Sequence, residues 1–295
     1  SASILLNSNK NHLFIKRDKE EALYFTNDLE NILTKEVLFF PASFRRSYQF
    51  NETDNSNVLL RSEVLNKLNN KKNNIIITYP EAISEKVIHK TELRKKTIKL
   101  ELNSKLELET IDELLEKEKF ELVDFVTDPG QYSIRGGIID IFSFAHEHPY
   151  RIELNEDTIE SIRTFDINTQ LSVEEQKKVE IIPNTHSKKV ITKKSSFLNY
   201  INKDCILWIK DTNYTKGKID EYYNKSSENF KQNKSTDRIK IEDFYIDSKS
   251  FIEDLTDFKK VELSSPYFNA DKKISTICEP QTSFNKNISL LIERL

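Results

Sequence analysis

The sequence predicts an α/β protein in which a parallel-sheet region is followed by a compact, mostly antiparallel α+β unit. Three observations carry that prediction. Over the first ninety residues, short apolar runs alternate with helical patterns, the rhythm of a parallel sheet covered by helices. From about Thr97 the texture changes to half-exposed strands with a single helix among them. Beyond Pro183, after a polar stretch, buried-strand and helix patterns resume. These changes of texture divide the chain into 1–96, 97–183 and 184–295. At 295 residues the chain is long enough to bury two cores.

The elements follow in order. "HLFIK" (His12–Lys16) reads as a buried strand, and Asp18 stands three residues before Glu21, the spacing of a capping box. Ala22, Phe25, Leu29, Ile32 and Leu33 then recur at helical intervals. "VLFF" (Val37–Phe40) and "IIITY" (Ile75–Tyr79) are strands separated by the helical stretch "NVLLRSEVLNKL". In the middle unit, "TIKLEL" alternates as a half-exposed strand does, and Thr110 with Glu113 caps a helix over "IDELLEKEKF". Four strands follow: "LVDFV" (122–126), "GGIIDIF" (136–142), "YRIEL" (150–154) and "TIESIRTF" (158–165). The lysine-rich segment 188–195 reads as a connector, "CILWIK" (Cys205–Lys210) as a strand and "FIEDLTDF" as a helix. The polar run "YNKSSENFKQNKSTD", within 212–237, reads as a loop. "SFNKNISLLIERL" closes the chain as the start of a helix.

Composition excludes several functional classes. Charged residues make up 32% of the chain yet balance to a net charge of -3, without the basic surplus of an autonomous nucleic-acid binder. A protein partner is the expectation. Cys205 and Cys278 have no metal-ligand spacing, which points to reduced thiols with neither disulfide nor zinc. No apolar run reaches the roughly 20 residues of a membrane span, and the opening residues lack the pattern of a signal peptide, so the expectation is a cytoplasmic protein without a membrane partner. Methionine is absent, initiator included, which reads as a piece of a longer protein.

Catalytic constellations are weak. "AHEHP" places His146 and His148 around Glu147, but this is not the i, i+4 helical pair of a zinc enzyme. No GxGxxG, no Gly-Lys-Ser/Thr and no nucleophile elbow is present, so neither a cofactor-binding nor a catalytic residue is assigned.

The informative stretch is "DPGQYSIRGGIIDIF", which holds Gly130, Gly136 and Gly137, three of the four glycines in the chain. Pro129-Gly130 suits a tight turn, and Gly136-Gly137 a bulge or close backbone approach beside a strand. Between them stands Arg135, open to a structural pairing with Asp140 or to a role at the surface. In "PYRIEL" the two-residue period puts Tyr150, Ile152 and Leu154 on one face and Arg151, Glu153 and Asn155 on the other, with Arg151 exposed. An arginine on a rigid strand can pair with a partner's carboxylates through its forked donors.

The stretch "FVTDPGQYSIRGGIIDIFSFAHEHPYRIELNEDTIESIRTFDINTQLS" resembles the bacterial transcription-repair coupling factor family, Mfd. It carries that family's order of Phe-Val, Pro-Gly-Gln, Arg-Gly-Gly, Asp-x-Phe, Pro-Tyr-Arg, Ile-x-Ser-Ile-Arg and Phe-Asp…Thr-Gln-x-Ser. The likeness extends more weakly from about His12 to Leu295. The excision-repair subunit UvrB shares several of these features, but "RGGIIDIF" and "FDINTQLS" look more like the coupling factor. The resemblance implies an amino-terminal, UvrB-like module: a degenerate nucleotide-binding-like α/β domain split by an inserted domain that recruits the repair protein UvrA. Its contact residues fall by resemblance on Arg135, on Arg151 and, where the family has an aromatic, on Asn155. That departure removes a large apolar contact, a loss on the order of 1 kcal/mol or more.

By the same resemblance the module is not an enzyme. The ATP and magnesium, the double-stranded DNA and the stalled RNA polymerase of a translocase belong to other regions of the full-length protein. A carboxy-terminal domain of that protein is a further intramolecular partner. Two rivals remain. The α/β part could retain ATP binding or hydrolysis, for which Glu81 in "IIITYPEA" is a weak magnesium ligand, or the lysines of "KKVITKKSS" could bind DNA directly.

Overall fold

The computed structural model describes residues 2–43, 55–70, 73–184, 193–232, 240–263 and 266–275. Five strands form a wholly parallel sheet in the order Lys259–Glu262, Ile206–Ile209, His12–Ile15, Ile75–Thr78, Val37–Phe39. The inner runs "HLFI" and "IIIT" are buried at every position, as strands covered on both faces must be. The core over this sheet includes Leu13, Ile15, Ile75, Ile76, Ile77, Leu207 and Ile209.

Helix Lys19–Ile32 starts as its sequence predicts: Asp18 is the N-cap and its carboxylate accepts the Glu21 N–H at 2.8 Å. The return half of the capping box is shifted by one residue, with Glu21 accepting from the Arg17 N–H at 3.1 Å. Ala22 and Leu29 face the sheet, while Ile32 is 63% exposed and lies off the apolar stripe.

Helix Asn55–Asn70 brings Arg61 into the interior, where none of its surface is exposed. Its Nη1 donates to the carbonyls of Pro41 and Ala82 at 2.7 and 3.1 Å and faces Glu85 at 3.4 Å. Glu85 in turn accepts the Ser43 N–H at 3.0 Å. A buried charge is tolerable only with such partners.

A second sheet has six strands in the order Ser172–Glu175, Thr158–Phe165, Tyr150–Asn155, Ile138–Ile141, Gln131–Arg135, Glu121–Leu122. All neighbours are antiparallel except the last pair. One face packs Tyr132, Ile139, Ile141, Ile152, Ile159 and Ile162 against Ile111 and Leu115 of helix Leu108–Lys117. Ile98–Glu101 and Lys178–Ile181 form an antiparallel ribbon that adds Leu100, Val179 and Ile181 to the same core. The parallel sheet thus draws its strands from both sides of residues 98–181 in the chain.

Three expectations need correction here. The polar stretch read as a loop is largely helix, Thr212–Gln232, with residues 233–239 outside the described set. Thr212, Thr215, Ile219 and Ser226 lie on its buried side at helical spacing, so three of these four inward residues are polar and the apolar period is masked. Helix Leu108–Lys117 begins earlier than the Thr110 cap: Glu107 is its N-cap, without a side-chain cap bond, and Thr110 lies inside it. Of "LVDFV" only Leu122 is strand, as the second residue of Glu121–Leu122, and Phe125 is 64% exposed. Ser172–Glu175 is an edge strand that no pattern announced, being exposed at all four positions.

Most of the lysine-rich segment 188–195, the closing helix and Cys278 lie outside the described residues. Cys205 is a buried free thiol, pushed up to about 12 by burial. Among the described residues no helix is long and apolar enough to cross a membrane.

Candidate protein-interaction surface

The second sheet packs its core on one face only. The other face is set by strand register: Ser133, Asp140, Arg151 and Arg163 lie opposite one another across four strands. Arg135, Ile138, Glu153 and Ser161 form the neighbouring row. The two-residue period makes this face polar, since Tyr132, Ile139 and Ile152 claim the other.

The glycines hold the hairpin beside Arg135. Gly136, at φ +61°, takes the positive-φ position a two-residue hairpin loop needs. Gly137 accepts the Leu154 N–H at 2.8 Å, and a Cβ at 137 would lie 2.9 Å from the Leu154 carbonyl oxygen, too close for any side chain.

Arg135 and Arg151 converge on one carboxylate. Arg151 donates Nε to Asp140 Oδ1 at 2.8 Å and Nη2 to Oδ2 at 2.9 Å, and Arg135 Nη2 reaches the same Oδ2 at 2.6 Å. Arg151 Nη2 also donates to Gln170 at 3.1 Å, and its guanidinium lies 4.3 Å from the centroid of the Phe165 ring. The bonds to Asp140 outweigh burial and hold Arg151 even more firmly cationic than a free arginine. Next to this cluster Arg163 pairs with Glu153, which also accepts from Ser161 at 2.8 Å.

Two guanidinium groups against one carboxylate leave an excess positive charge. How far it is presented differs between the two. The Asp140 side chain is 2% exposed, Arg151 is 18% and Arg135 is 40%. The expectation of an exposed Arg151 is therefore corrected: it lies down on Asp140 and Phe165, and Arg135 is the arginine open to solvent. Asn155 is exposed at the end of its strand, on the same side as Arg151 and Glu153. Pairing between Arg135 and Asp140 was legible in the sequence. That Asp140 serves both arginines was not, because it requires the register of three strands, and Phe165 and Gln170 gave no signal.

Other candidates are less organised. His146 stacks edge-on against Tyr150 with 5.1 Å between ring centroids, and burial pushes it down to about 4. Among the described residues no cluster of His, Cys, Asp and Glu has the geometry to hold a metal. Glu81 sits in the first turn of the short helix Pro80–Ser84.

At the carboxyl ends of the central parallel strands, where this architecture places ligands, Glu21 accepts from Lys210 at 2.8 Å and from the Arg17 N–H. Lys16 lies 3.1 Å away. Burial pushes Glu21 up, but these donors outweigh it and hold the carboxyl at about 2.

Comparison with known proteins finds a likeness over part of the chain. The description "UvrB interaction domain" matches residues 98–186. The transcription-repair-coupling factor of Bacillus subtilis is 30% identical over 178 residues, 60% of this chain and 15% of that protein. Over that region the chain is similar to the transcription-repair-coupling factors. The Borreliella burgdorferi factor is 30% identical over 167 residues, covering 54% of this chain and 14% of its own length. For the Escherichia coli factor the figures are 25% over 123 residues, 42% and 11%. The chain thus matches only a small part of each coupling factor, and residues 98–186, matched by the UvrB interaction domain, contain the whole six-stranded sheet with its two arginines.

Proposed function

We propose that this chain is a non-catalytic recruitment module that docks UvrA through the polar face of the six-stranded sheet. The observation that carries the reading is the Arg135–Asp140–Arg151 cluster inside the region matched by the UvrB interaction domain. Arg135 and Arg151 supply forked donors on a rigid sheet, and Asn155 occupies the rim of the same face. Residues 97–183 form the docking domain, inserted between 1–96 and 184–295 of an α/β domain. In the full-length protein, the module would bring excision repair to RNA polymerase stalled on DNA, with the ATP-driven motor in other regions.

The α/β domain is read as a degenerate nucleotide-binding fold. Its strand order changes direction between His12–Ile15 and Ile206–Ile209, the crevice where such folds take a phosphate. Here the carboxylate of Glu21 draws on Lys16, Lys210 and a backbone N–H, the donors an anionic ligand would use. Bound ATP would have to displace an internal anion. Titration of the chain with ATP is expected to show no binding, and micromolar affinity with turnover would overturn the non-catalytic reading.

The docking reading is tested by measuring UvrA binding to the chain and to Arg135→Ala and Arg151→Ala. Each substitution is expected to cost about 1–3 kcal/mol of binding. A folded double mutant that binds UvrA as well as the unaltered chain would refute it.

A further inference from the structure

Phe125 is an aromatic ring with no core to enter. It follows the short edge strand Glu121–Leu122 and is 64% exposed, while Val126, next in the chain, is buried. The ring is nevertheless fixed to the polar face of the sheet. The Arg135 guanidinium lies 5.1 Å from its centroid, and Arg135 Nη1 donates to the carbonyl of Asp124 at 3.5 Å. One arginine therefore touches both the segment bearing Phe125 and the buried Asp140. Ile138, directly across the hairpin from Arg135, is itself 36% exposed. A ring, a guanidinium and an aliphatic side chain thus form one continuous patch, joined through Asp140 to Arg151. Aromatic residues and arginines, held in place before the partner arrives, are the side chains that dominate binding energy at protein interfaces.

We propose that Phe125 is the aromatic anchor of this docking face, entering an apolar pocket on the partner whose rim carries carboxylates that receive Arg135. The occupant is UvrA, so the inference rests on the reading given above. Charge complementarity selects such a pocket: the face presents two guanidinium groups against one internal carboxylate, and Arg135 is the more open of the two. The edge segment then supplies the apolar contact that Asn155, a polar side chain at the far hairpin, does not.

The test measures binding of UvrA to the full chain carrying Phe125→Ala, Phe125→Trp, Arg135→Ala or no substitution, with thermal melts of each. Phe125→Ala is expected to weaken binding at least tenfold with an unchanged melting temperature, since the ring stabilises little in the free chain. Phe125→Trp keeps a large ring over the guanidinium and is expected to bind within a few-fold of the unaltered chain. Undiminished binding by Phe125→Ala, where Arg135→Ala is impaired, overturns the anchor and leaves UvrA docking standing. If both alanine variants bind as the unaltered chain does, the docking face itself is wrong and the anchor falls with it.

Discussion

Arg151 grips Asp140 with two near-parallel donors, at 2.8 and 2.9 Å, on a carboxylate whose side chain is 2% exposed. The geometry is bidentate, the strongest form of the arginine–carboxylate contact. Because Arg135 shares Oδ2 at 2.6 Å, Asp140 sets the position of both arginines without itself being open to a partner.

Asp140→Asn is therefore expected to damage stability and docking together. One acceptor oxygen becomes an amide that cannot accept, and two guanidinium groups lose their counter-charge, a cost of about 2–4 kcal/mol in folding. Urea denaturation reads this directly. In an Arg151→Met background the same change should cost less, because part of the charge it strands is already gone. Equal costs in the two backgrounds would mean that Asp140 does not act through Arg151.

The buried ion pair of the α/β domain gives a second expectation. Arg61→Leu removes the cation facing Glu85 and the donor that serves the Pro41 and Ala82 carbonyls, all in the interior. The expected loss is about 3–5 kcal/mol, since a buried carboxylate keeps the Ser43 N–H but loses the guanidinium it faces. A shift in the urea midpoint worth less than about 1 kcal/mol would contradict the buried-pair account.

Stability should also fall in mild acid. Burial pushes His146 down to about 4 from the ordinary 6.5, with Lys67 pushing the same way and Glu180 opposing. The unfolded chain then takes up the proton before the folded one, so stability is full above about 6.5 and is lost as pH falls toward 4. The loss from this residue is at most about 3 kcal/mol. His12, also lowered chiefly by burial and by nearby lysines, acts in the same direction. His146→Phe keeps a ring against Tyr150 and should flatten part of that slope in denaturation measured from pH 7 to 4.

Much of this was legible in the sequence, and two of the failures share a cause. Apolar runs such as Ile75–Thr78 announce buried strands because burial on both faces leaves no room for polar residues. The alternation in Tyr150–Asn155 sorted Arg151 from Ile152 correctly, since one face had a core to fill. Elements whose buried side is polar or absent escaped: Thr215 and Ser226 hide the period of a 21-residue helix, and Ser172–Glu175 buries nothing. For the site, local pattern found the two arginines but could not show that they share Asp140. That contact joins residues 135, 140 and 151 through two separate strand pairings.

Two glycines of the chain should answer the same substitution with opposite signs. Gly137→Ala places a Cβ 2.9 Å from the backbone oxygen of Leu154, so the hairpin must open or the neighbouring strand must shift. The expected cost is about 1–3 kcal/mol, and on the proposed docking reading UvrA binding weakens too, because Arg135 on the same hairpin loses its aim. Gly217 is exposed within helix Thr212–Gln232 and a Cβ there meets nothing within 4 Å. Gly217→Ala is expected to stabilise by about 0.5–1 kcal/mol, as alanine has less backbone freedom to lose and better helix propensity. Paired urea melts decide both, and a destabilising Gly217→Ala would contradict the helix that replaces the expected loop.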